Sequence, residues 1–250
     1  MHARFYAPDL SPGVQHVRLP PEEADHLRRV LRLGPGARVQ VFSGTGYECT
    51  GRVEEVGRGQ VIVGIDGGVA VRAEPSVSVV LAQALLKANG MDHVVRDAVM
   101  LGVVAIVPVV SARVETNLSR LQVPERVARW RRIAIASAKQ CGRAVVPPVH
   151  DVSTFEACLR AFDVPLRLLL AEPTLTAVRP VGVRTLLERP IPASALLLVG
   201  PEGGWTDEEV RRGIDAGCVP LTLGPRTLRA EAAPLVSLAA VQCLWGDLDP

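Results

Sequence analysis

The chain has 250 residues, with 28 basic and 26 acidic side chains and a net charge of +2. Hydrophobic residues make up 48% and charged residues 22%, which excludes wholesale disorder and allows a sizeable core in one large or two small domains. The longest apolar run, Ala98–Val110, is shorter than the roughly 20 residues of a membrane span, so neither a transmembrane helix nor a membrane partner is expected. The N-terminus lacks an apolar signal core, which predicts a cytoplasmic protein. The five widely spaced cysteines predict neither disulfides nor a metal site.

Residues 1–72 have the pattern of a small β-rich unit. Strands are predicted over 38–42, 47–56 and 60–65, because glycine-rich turns separate these runs. A helix is predicted to begin at Pro21, with an apolar stripe formed by Ala24, Leu27 and Leu31. Residues 67–76 then have the composition of a linker, which predicts a second domain over 76–250.

From Val77 onward, predicted strands and helices alternate along the chain. The predicted strands cover 77–83, 103–107, 166–171, 195–199 and 219–223. The predicted helices cover 90–101, 124–142, 154–161, 178–188, 207–216 and 233–245. This order predicts an α/β fold with a mainly parallel sheet and helices on both faces. Ligands of such sheets bind at the carboxyl ends of the strands.

The helix predicted over 124–142 lies in the most basic part of the chain. Residues 120–143 carry seven basic side chains and one acidic one, a net charge of +6, so the remaining residues sum to −4. The basic side chains at helical spacing are Arg129, Arg132, Lys139 and Arg143. They lie about 200° around the axis from an apolar stripe that includes Trp130. Because no acidic residue follows Glu125 here, pairing within the helix does not explain the charge. A polyanion is the predicted partner, and a solvated charged face is the alternative.

Two loops at predicted strand ends stand out. The first, residues 198–206 (LVGPEGGWT), contains three glycines that permit a tight turn and a close approach to a ligand. Thr206 with Glu209 predicts a capping box for the helix that follows. The second, residues 221–231 (LTLGPRTLRAE), leads into the last helix. Neither loop has the glycine spacing of a dinucleotide or P-loop motif.

These two loops, in this order, resemble the signature loops of the small-subunit ribosomal RNA (uracil-N3) methyltransferases, the RsmE type of the SPOUT class. The resemblance extends along the chain through HLRRVLRL at 26–33, QALLK at 83–87, the segment 108–113 and the basic helix. The sequence departs from the family at three positions. Met100 stands where a glutamate usually precedes Leu-Gly, and Ala230 and Ala232 replace the threonines that flank Glu231.

The resemblance implies a PUA-like RNA-binding β-barrel over residues 1–72. It also implies a SPOUT methyltransferase domain over residues 76–250, with a parallel sheet and a C-terminal trefoil knot. S-adenosylmethionine (SAM) would bind in the knot, near a homodimer interface. The implied reaction is methylation of N3 of a specific uridine in 16S ribosomal RNA, either as free RNA or in the assembled small subunit.

For SAM, the chain offers apolar side chains for the adenine and glycine backbone for hydrogen bonds. The expected cofactor residues are Leu170, Val199, Gly200, Glu202, Gly203, Leu221, Leu223, Gly224 and Leu228. Glu202 would either contact the cofactor or brace its loop.

Methylation of N3 requires loss of its proton, so a cation beside the ring oxygens and a proton acceptor would both help. Arg229 is the predicted anion stabiliser, with a phosphate contact or an ion pair at the helix start as alternatives. Glu231 is the nearest candidate base, and its alternative is a favourable carboxylate in the first helical turn. No residue set predicts a metal.

The expected RNA-binding residues are Arg4, Arg29, Arg32, Lys87, Arg113, Arg132, Lys139 and Arg143. Two other functions stay open at this point. One is a ribose 2′-O-methyltransferase on the same fold, which the 223–229 loop disfavours. The other is a catalytically silent RNA-binding assembly protein, which the two alanine replacements keep open.

Overall fold

The computed structural model describes residues 3–57, 59–114, 123–172 and 178–248, and the chain divides into two compact units. The first unit contains residues 1–74 together with 135–146, and the second contains residues 75–134 together with 147–250. Within the described ranges, no helix combines the length and the apolar character needed to cross a membrane. The domain limits expected from the sequence, 1–72 and 76–250, stay a prediction.

The first unit is built on a five-stranded sheet with the order β1-β3-β4-β5-β2. Its strands are β1 (Ala3–Tyr6), β2 (His16–Arg18), β3 (Arg38–Phe42), β4 (Glu48–Gly57) and β5 (Gln60–Gly68). β1 runs parallel to β3, and the other pairs are antiparallel. The three predicted strands are confirmed to within a few residues. β1 and β2 were not predicted, because three or four residues are too few to show a clear alternation.

One short helix and one outside segment complete the first unit. Helix α1 (Pro21–Asp25) continues directly as a π-helical turn over His26–Val30. Residues 135–146 come from the far end of the basic helix and beyond it, and Val146 donates a backbone hydrogen bond to Gly44 at 2.9 Å. Gly44 has a φ of +81°, and a Cβ there would lie 2.7 Å from the Tyr6 ring, so this turn requires glycine.

The second unit contains a seven-stranded sheet with the order β10-β12-β9-β11-β6-β7-β8, and every pairing in it is parallel. Its strands are β6 (Ser78–Ala84), β7 (Ala105–Val110), β8 (Ser153–Thr154), β9 (Leu166–Leu170), β10 (Val181–Gly182), β11 (Ser194–Val199) and β12 (Val219–Thr222). β6 and β11 lie inside the sheet and are almost continuously buried, as expected for parallel strands covered on both faces. The predicted α/β fold is confirmed, and the knot and the closure of the N-terminal sheet into a barrel stay predictions.

The remaining helices mostly follow the predicted positions. They are α2 (Gly90–Met100), α3 (Val123–Cys141), α4 (Phe155–Ala161), α5 (Asp207–Asp215) and α6 (Ala233–Trp245). The α-helix predicted over 178–188 is wrong, because β10 occupies its first half and a 3-10 helix, Val183–Glu188, its second. Pro180 disfavours a helical conformation in the residue before it, and Gly182 is extended.

Candidate active site

A cavity of about 900 Å³ lies at the carboxyl ends of four strands of the second unit. Its walls come mainly from the ends of β6, β9, β11 and β12 and the segments that follow them. The lining residues of these segments are 87–90, 170–172, 199–202, 204, 205, 222, 223, 226–231 and 233. This is the edge where ligands of parallel sheets bind, and the volume is at the upper end of the range for small-molecule sites, about 300–1,000 Å³. Both loops singled out in the sequence therefore line one cavity.

Six of the nine expected cofactor residues line this cavity. They are Leu170, Val199, Gly200, Glu202, Leu223 and Leu228. The other three do not line it. Leu221 is fully buried in β12, the Gly203 carbonyl accepts a hydrogen bond from Arg113, and Gly224 lies in a turn at a φ of +112°.

The glycine loop over 200–205 is tightly folded. The Gly204 N–H donates to the Pro201 carbonyl at 2.9 Å, and Gly204 has a φ of +67°. Side chains rarely adopt this positive φ, so the turn favours glycine, and the space beside Gly204 is occupied by the Glu172 carboxylate, whose Oε1 would lie 2.8 Å from a Cβ. At the end of the loop, the predicted capping box is confirmed by hydrogen bonds between Thr206 and Glu209 in both directions, at 3.2 and 2.8 Å.

Neighbouring loops hold the glycine loop from two sides. The Glu202 carboxylate accepts a hydrogen bond from the backbone N–H of Lys87 at 2.9 Å. Arg113 donates through Nη1 to the Gly203 carbonyl at 2.9 Å, and the Ala112 N–H donates to the Glu209 carboxylate at 2.8 Å. The contact at Lys87 matches the bracing alternative for Glu202.

Arg229 and Glu231 both line the cavity near the start of α6. Their side chains are 88% and 40% exposed and approach each other only to 4.0 Å, so each can reach a ligand. The α6 N-cap is Ala232, which gives no side-chain cap to the helix. The catalytic roles of Arg229 and Glu231 stay predictions.

Sequence reasoning missed several side chains in the same cavity. They include Asn89, His93, Glu172, Asp207 and Arg226. Glu172 is the second residue after β9, so the rule that ligands bind at strand ends could have found it. His93 lies within α2, where no sequence signal separates a cavity residue from an ordinary surface residue.

Basic side chains in the first half of α3 form ion pairs with acidic residues of other segments. Arg129 pairs with Asp92 at 2.6 Å, and Arg131 pairs with Asp151 at 2.9 Å. Asp92 also accepts a hydrogen bond from the indole N–H of Trp130 at 3.1 Å. Pairing within the helix does not explain the charge, as expected, but acidic residues from other segments of the chain pair with part of it. Arg132 is exposed and has neither an ion pair nor a hydrogen bond to the residues the structure describes.

Three expected RNA-binding residues are engaged inside the first unit instead. Lys139 pairs with Glu23 at 2.7 Å, and Arg143, which lies beyond the end of α3 and is buried, pairs with Glu74. Arg4 makes a two-point contact with Glu48 at 2.7 and 2.8 Å. These contacts correct the expectation for Arg4, Lys139 and Arg143, whose charges are neutralised within the protein.

The other expected RNA-binding residues remain accessible. In the first unit, Arg29 is largely exposed, 3.5 Å from Asp25, and Arg32 is exposed at a φ of +52°. In the second unit, Lys87 and Arg113 are exposed and line the cavity.

Comparison with known proteins agrees with this architecture. Residues 73–242 match the RNA methyltransferase domain family, and residues 19–66 match the RNA methyltransferase PUA domain family. Ribosomal RNA small subunit methyltransferase E of Synechocystis sp. is 32% identical over 228 residues, which cover 91% of this chain and 73% of that protein.

Two solved structures with bound SAM are similar over the whole chain. One is a methyltransferase of Legionella pneumophila, with 32% identity, a TM-score of 0.90 and coverage of 99% of this chain and 100% of that one. The other is the ribosomal RNA small subunit methyltransferase E of Neisseria gonorrhoeae, with 32% identity, a TM-score of 0.87 and the same coverage. This chain therefore belongs to the ribosomal RNA small subunit methyltransferase E family, whose RNA methyltransferase domain it carries together with a PUA domain.

Proposed function

We propose that this chain transfers a methyl group from SAM to N3 of a specific uridine in 16S ribosomal RNA. The observation that carries the proposal is that both signature loops, which follow two different strands, line one cavity at the carboxyl ends of the strands. Family membership and the SAM bound in two similar structures support it.

The cavity fits a cofactor that contains an adenine. Leu170, Val199, Leu223 and Leu228 supply apolar walls for an adenine. At Gly200 a Cβ would lie within 3.3–3.4 Å of Gly204 and Trp205, so this glycine lets the loop fold back closely on itself beside the cavity. When bound, SAM supplies the electrophilic methyl group.

The reacting base must lose the proton on N3 and carry negative charge on its ring oxygens. In the proposed mechanism, Arg229 stabilises that charge through its permanent cation, and Glu231 accepts the proton. Both side chains line the cavity and are exposed, so a nucleotide entering from solvent meets them directly. Lys87 and Arg113 would hold the flanking phosphates at the cavity, with Arg132 on α3 and Arg29 and Arg32 on the first unit as further contacts.

We further infer that the protein is a cytoplasmic homodimer that acts on small-subunit RNA or on the assembled subunit. Helix α6 is apolar on nearly all sides, yet Val236 is 45% exposed and Cys243 is exposed. An apolar helix face of this kind is typical of an interface. Formation of the dimer should slow alkylation of Cys243, and the labelling rate should rise when the protein is diluted. A rate that does not depend on concentration would contradict the dimer.

The decisive experiment supplies SAM with a labelled methyl group together with undermethylated small subunits, or with free 16S RNA, and maps the label by mass spectrometry. The expected product is 3-methyluridine at one position. Label on a ribose would establish the 2′-O alternative. SAM binding without transfer to either substrate would favour a silent assembly protein, the alternative suggested by Ala230 and Ala232.

Two arginine variants test the assigned chemistry. Arg229→Ala should lower kcat by about 10²–10³-fold and change the SAM Kd little, because the charge it stabilises exists only in the transition state. Arg211→Ala removes an exposed arginine on α5, outside the cavity, and should change neither value. An equal loss of kcat in Arg229→Ala and Arg211→Ala would contradict the role of Arg229.

A further inference from the structure

Gln83 lies beside the first residue of the glycine loop. It is fully buried near the carboxyl end of β6, opposite Val199 of the neighbouring strand β11. Its side chain does not line the cavity. A buried amide is costly unless it forms hydrogen bonds, so its partners indicate what it does.

The side-chain amide of Gln83 joins two strand ends. Nε2 donates to the carbonyls of Ala84 at 3.0 Å and Gly200 at 3.2 Å, and the Val199 carbonyl lies at 3.5 Å. Three carbonyl oxygens around one nitrogen fix the orientation of the amide, because the opposite orientation would place oxygen against oxygen. Val199 and Gly200 both line the cavity, and they begin the loop that Glu202 and Gly203 anchor further along.

We propose that Gln83 is a positioning residue, which holds the Val199–Gly200 carbonyls so that the glycine loop keeps its cofactor-binding shape. This rests on the proposed function, since SAM is the ligand. The loop has anchors at Lys87, Arg113 and Thr206, and Gln83 is the anchor at its first residue. Preorganisation of this kind lowers the entropic cost of binding.

Gln242 of α6 provides a matched control. It is also fully buried, its Nε2 donates to a backbone carbonyl, that of Leu101, at 3.2 Å, and it does not line the cavity. Neither Gln83 nor Gln242 has a hydrogen-bond partner for Oε1 among the described residues. Gln83→Met and Gln242→Met should both lower the melting temperature. Only Gln83→Met should weaken SAM binding by calorimetry, by about tenfold, through the loss of its hydrogen bonds to the loop.

Gln83→Glu adds a test whose expected result, recovery of SAM binding at low pH, cannot arise from a variant that fails to fold. An ionised carboxylate would face three carbonyl oxygens, whereas its neutral form can donate one hydrogen bond, so the pKa of the introduced group should be raised. The variant's SAM Kd should therefore approach that of the wild type as the pH falls from about 8 to about 5.5. Gln242→Glu should show no such recovery.

These experiments distinguish a failure of the proposed function from a failure of the role proposed for Gln83. If the wild-type protein binds no SAM, the proposed function fails. If the wild type binds SAM and Gln83→Met matches it, or if Gln242→Met loses equal affinity, the role of Gln83 is overturned. A Gln83→Glu variant whose SAM Kd stays at a constant ratio to the wild type across the pH range would also overturn it.

Discussion

Arg4 provides the sharpest test of whether a basic residue of this protein serves the fold or the RNA. The Arg4–Glu48 pair is buried, with side chains 10% and 8% exposed. Arg4 also donates to the Ala138 and Arg143 carbonyls at 2.9 and 2.8 Å, and its guanidinium lies 4.0 Å from the centre of the Phe42 ring. Arg4 therefore ties β1 to the last turn of α3 and to the residues just beyond it.

Arg4→Met removes the charge and keeps most of the apolar stem. The variant leaves Glu48 buried without its partner, and breaking a buried pair in this way costs about 3–5 kcal/mol. Whole domains are stable by only about 5–15 kcal/mol, so the loss should be plain in urea unfolding curves. The double variant Arg4→Met/Glu48→Leu should be less destabilised than Arg4→Met alone, because no uncompensated charge remains.

The matched control is Arg32→Met, since Arg32 is exposed and has no ion pair in the part of the chain the structure describes. It should change the free energy of unfolding by less than about 0.5 kcal/mol and should weaken RNA binding. The reasoning about Arg4 is refuted if Arg4→Met unfolds at the wild-type urea concentration and loses RNA affinity as Arg32→Met does.

Three further predictions concern stability. Thr206→Ala should lower the free energy of unfolding by about 1 kcal/mol, because it removes the cap of α5, and chemical denaturation measures this directly. Ala88→Gly should raise it by up to about 1 kcal/mol, because Ala88 has a φ of +47°, and a decrease would contradict strain at this turn. Burial raises the pKa of the Cys158 thiol from 9.0 to about 12, so the folded state retains a proton that the unfolded state releases. The contribution of Cys158 to stability should therefore be intact below pH 9 and fall by about 1.4 kcal/mol per pH unit between pH 9 and about 12, so the total fall should be shallower in Cys158→Ala.

The parts of the fold that could be predicted are those with a strong local signal. Helix α6 was predicted over 233–245 and spans Ala233–Trp245, and β11 differs from its prediction by one residue. In both, a mostly apolar run meets glycine or proline at a boundary. β8 and β10 have only two residues each, and their positions depend on pairing with distant strands, so no local pattern marks them.

The cavity was predictable for a topological reason. The carboxyl ends of parallel strands meet at one edge of a sheet, so residues after β9, β11 and β12 had to lie near one another. Leu170, Val199 and Leu223 follow this rule and line the cavity. Gly203 and Leu221 belong to the same segments but face elsewhere, because a loop position alone does not determine the direction of a group.

The charge of α3 shows that counting charged residues along the sequence can overestimate the charge that a ligand meets. The seven basic residues counted over 120–143 suggested a polyanion because the same stretch holds only one acid. Four of the seven have acidic partners elsewhere in the sequence: Asp92 and Asp151 for the first half of the helix, and Glu23 and Glu74 for the segment at its end. Arg120 lies outside the described residues. Net charge along a segment therefore does not equal the charge available to a ligand.

The set of residues predicted to contact RNA is therefore smaller, and two of its members lie at the cavity. In the second unit it reduces to Lys87 and Arg113 at the cavity, with Arg132 exposed on α3. Few phosphate contacts imply a shallow dependence of affinity on salt, with a slope close to the number of phosphates neutralised. An RNA held by so few charges must gain its specificity from the base inside the cavity and from the fold of the RNA around it. This favours a structured target, such as the assembled small subunit, over an extended single strand.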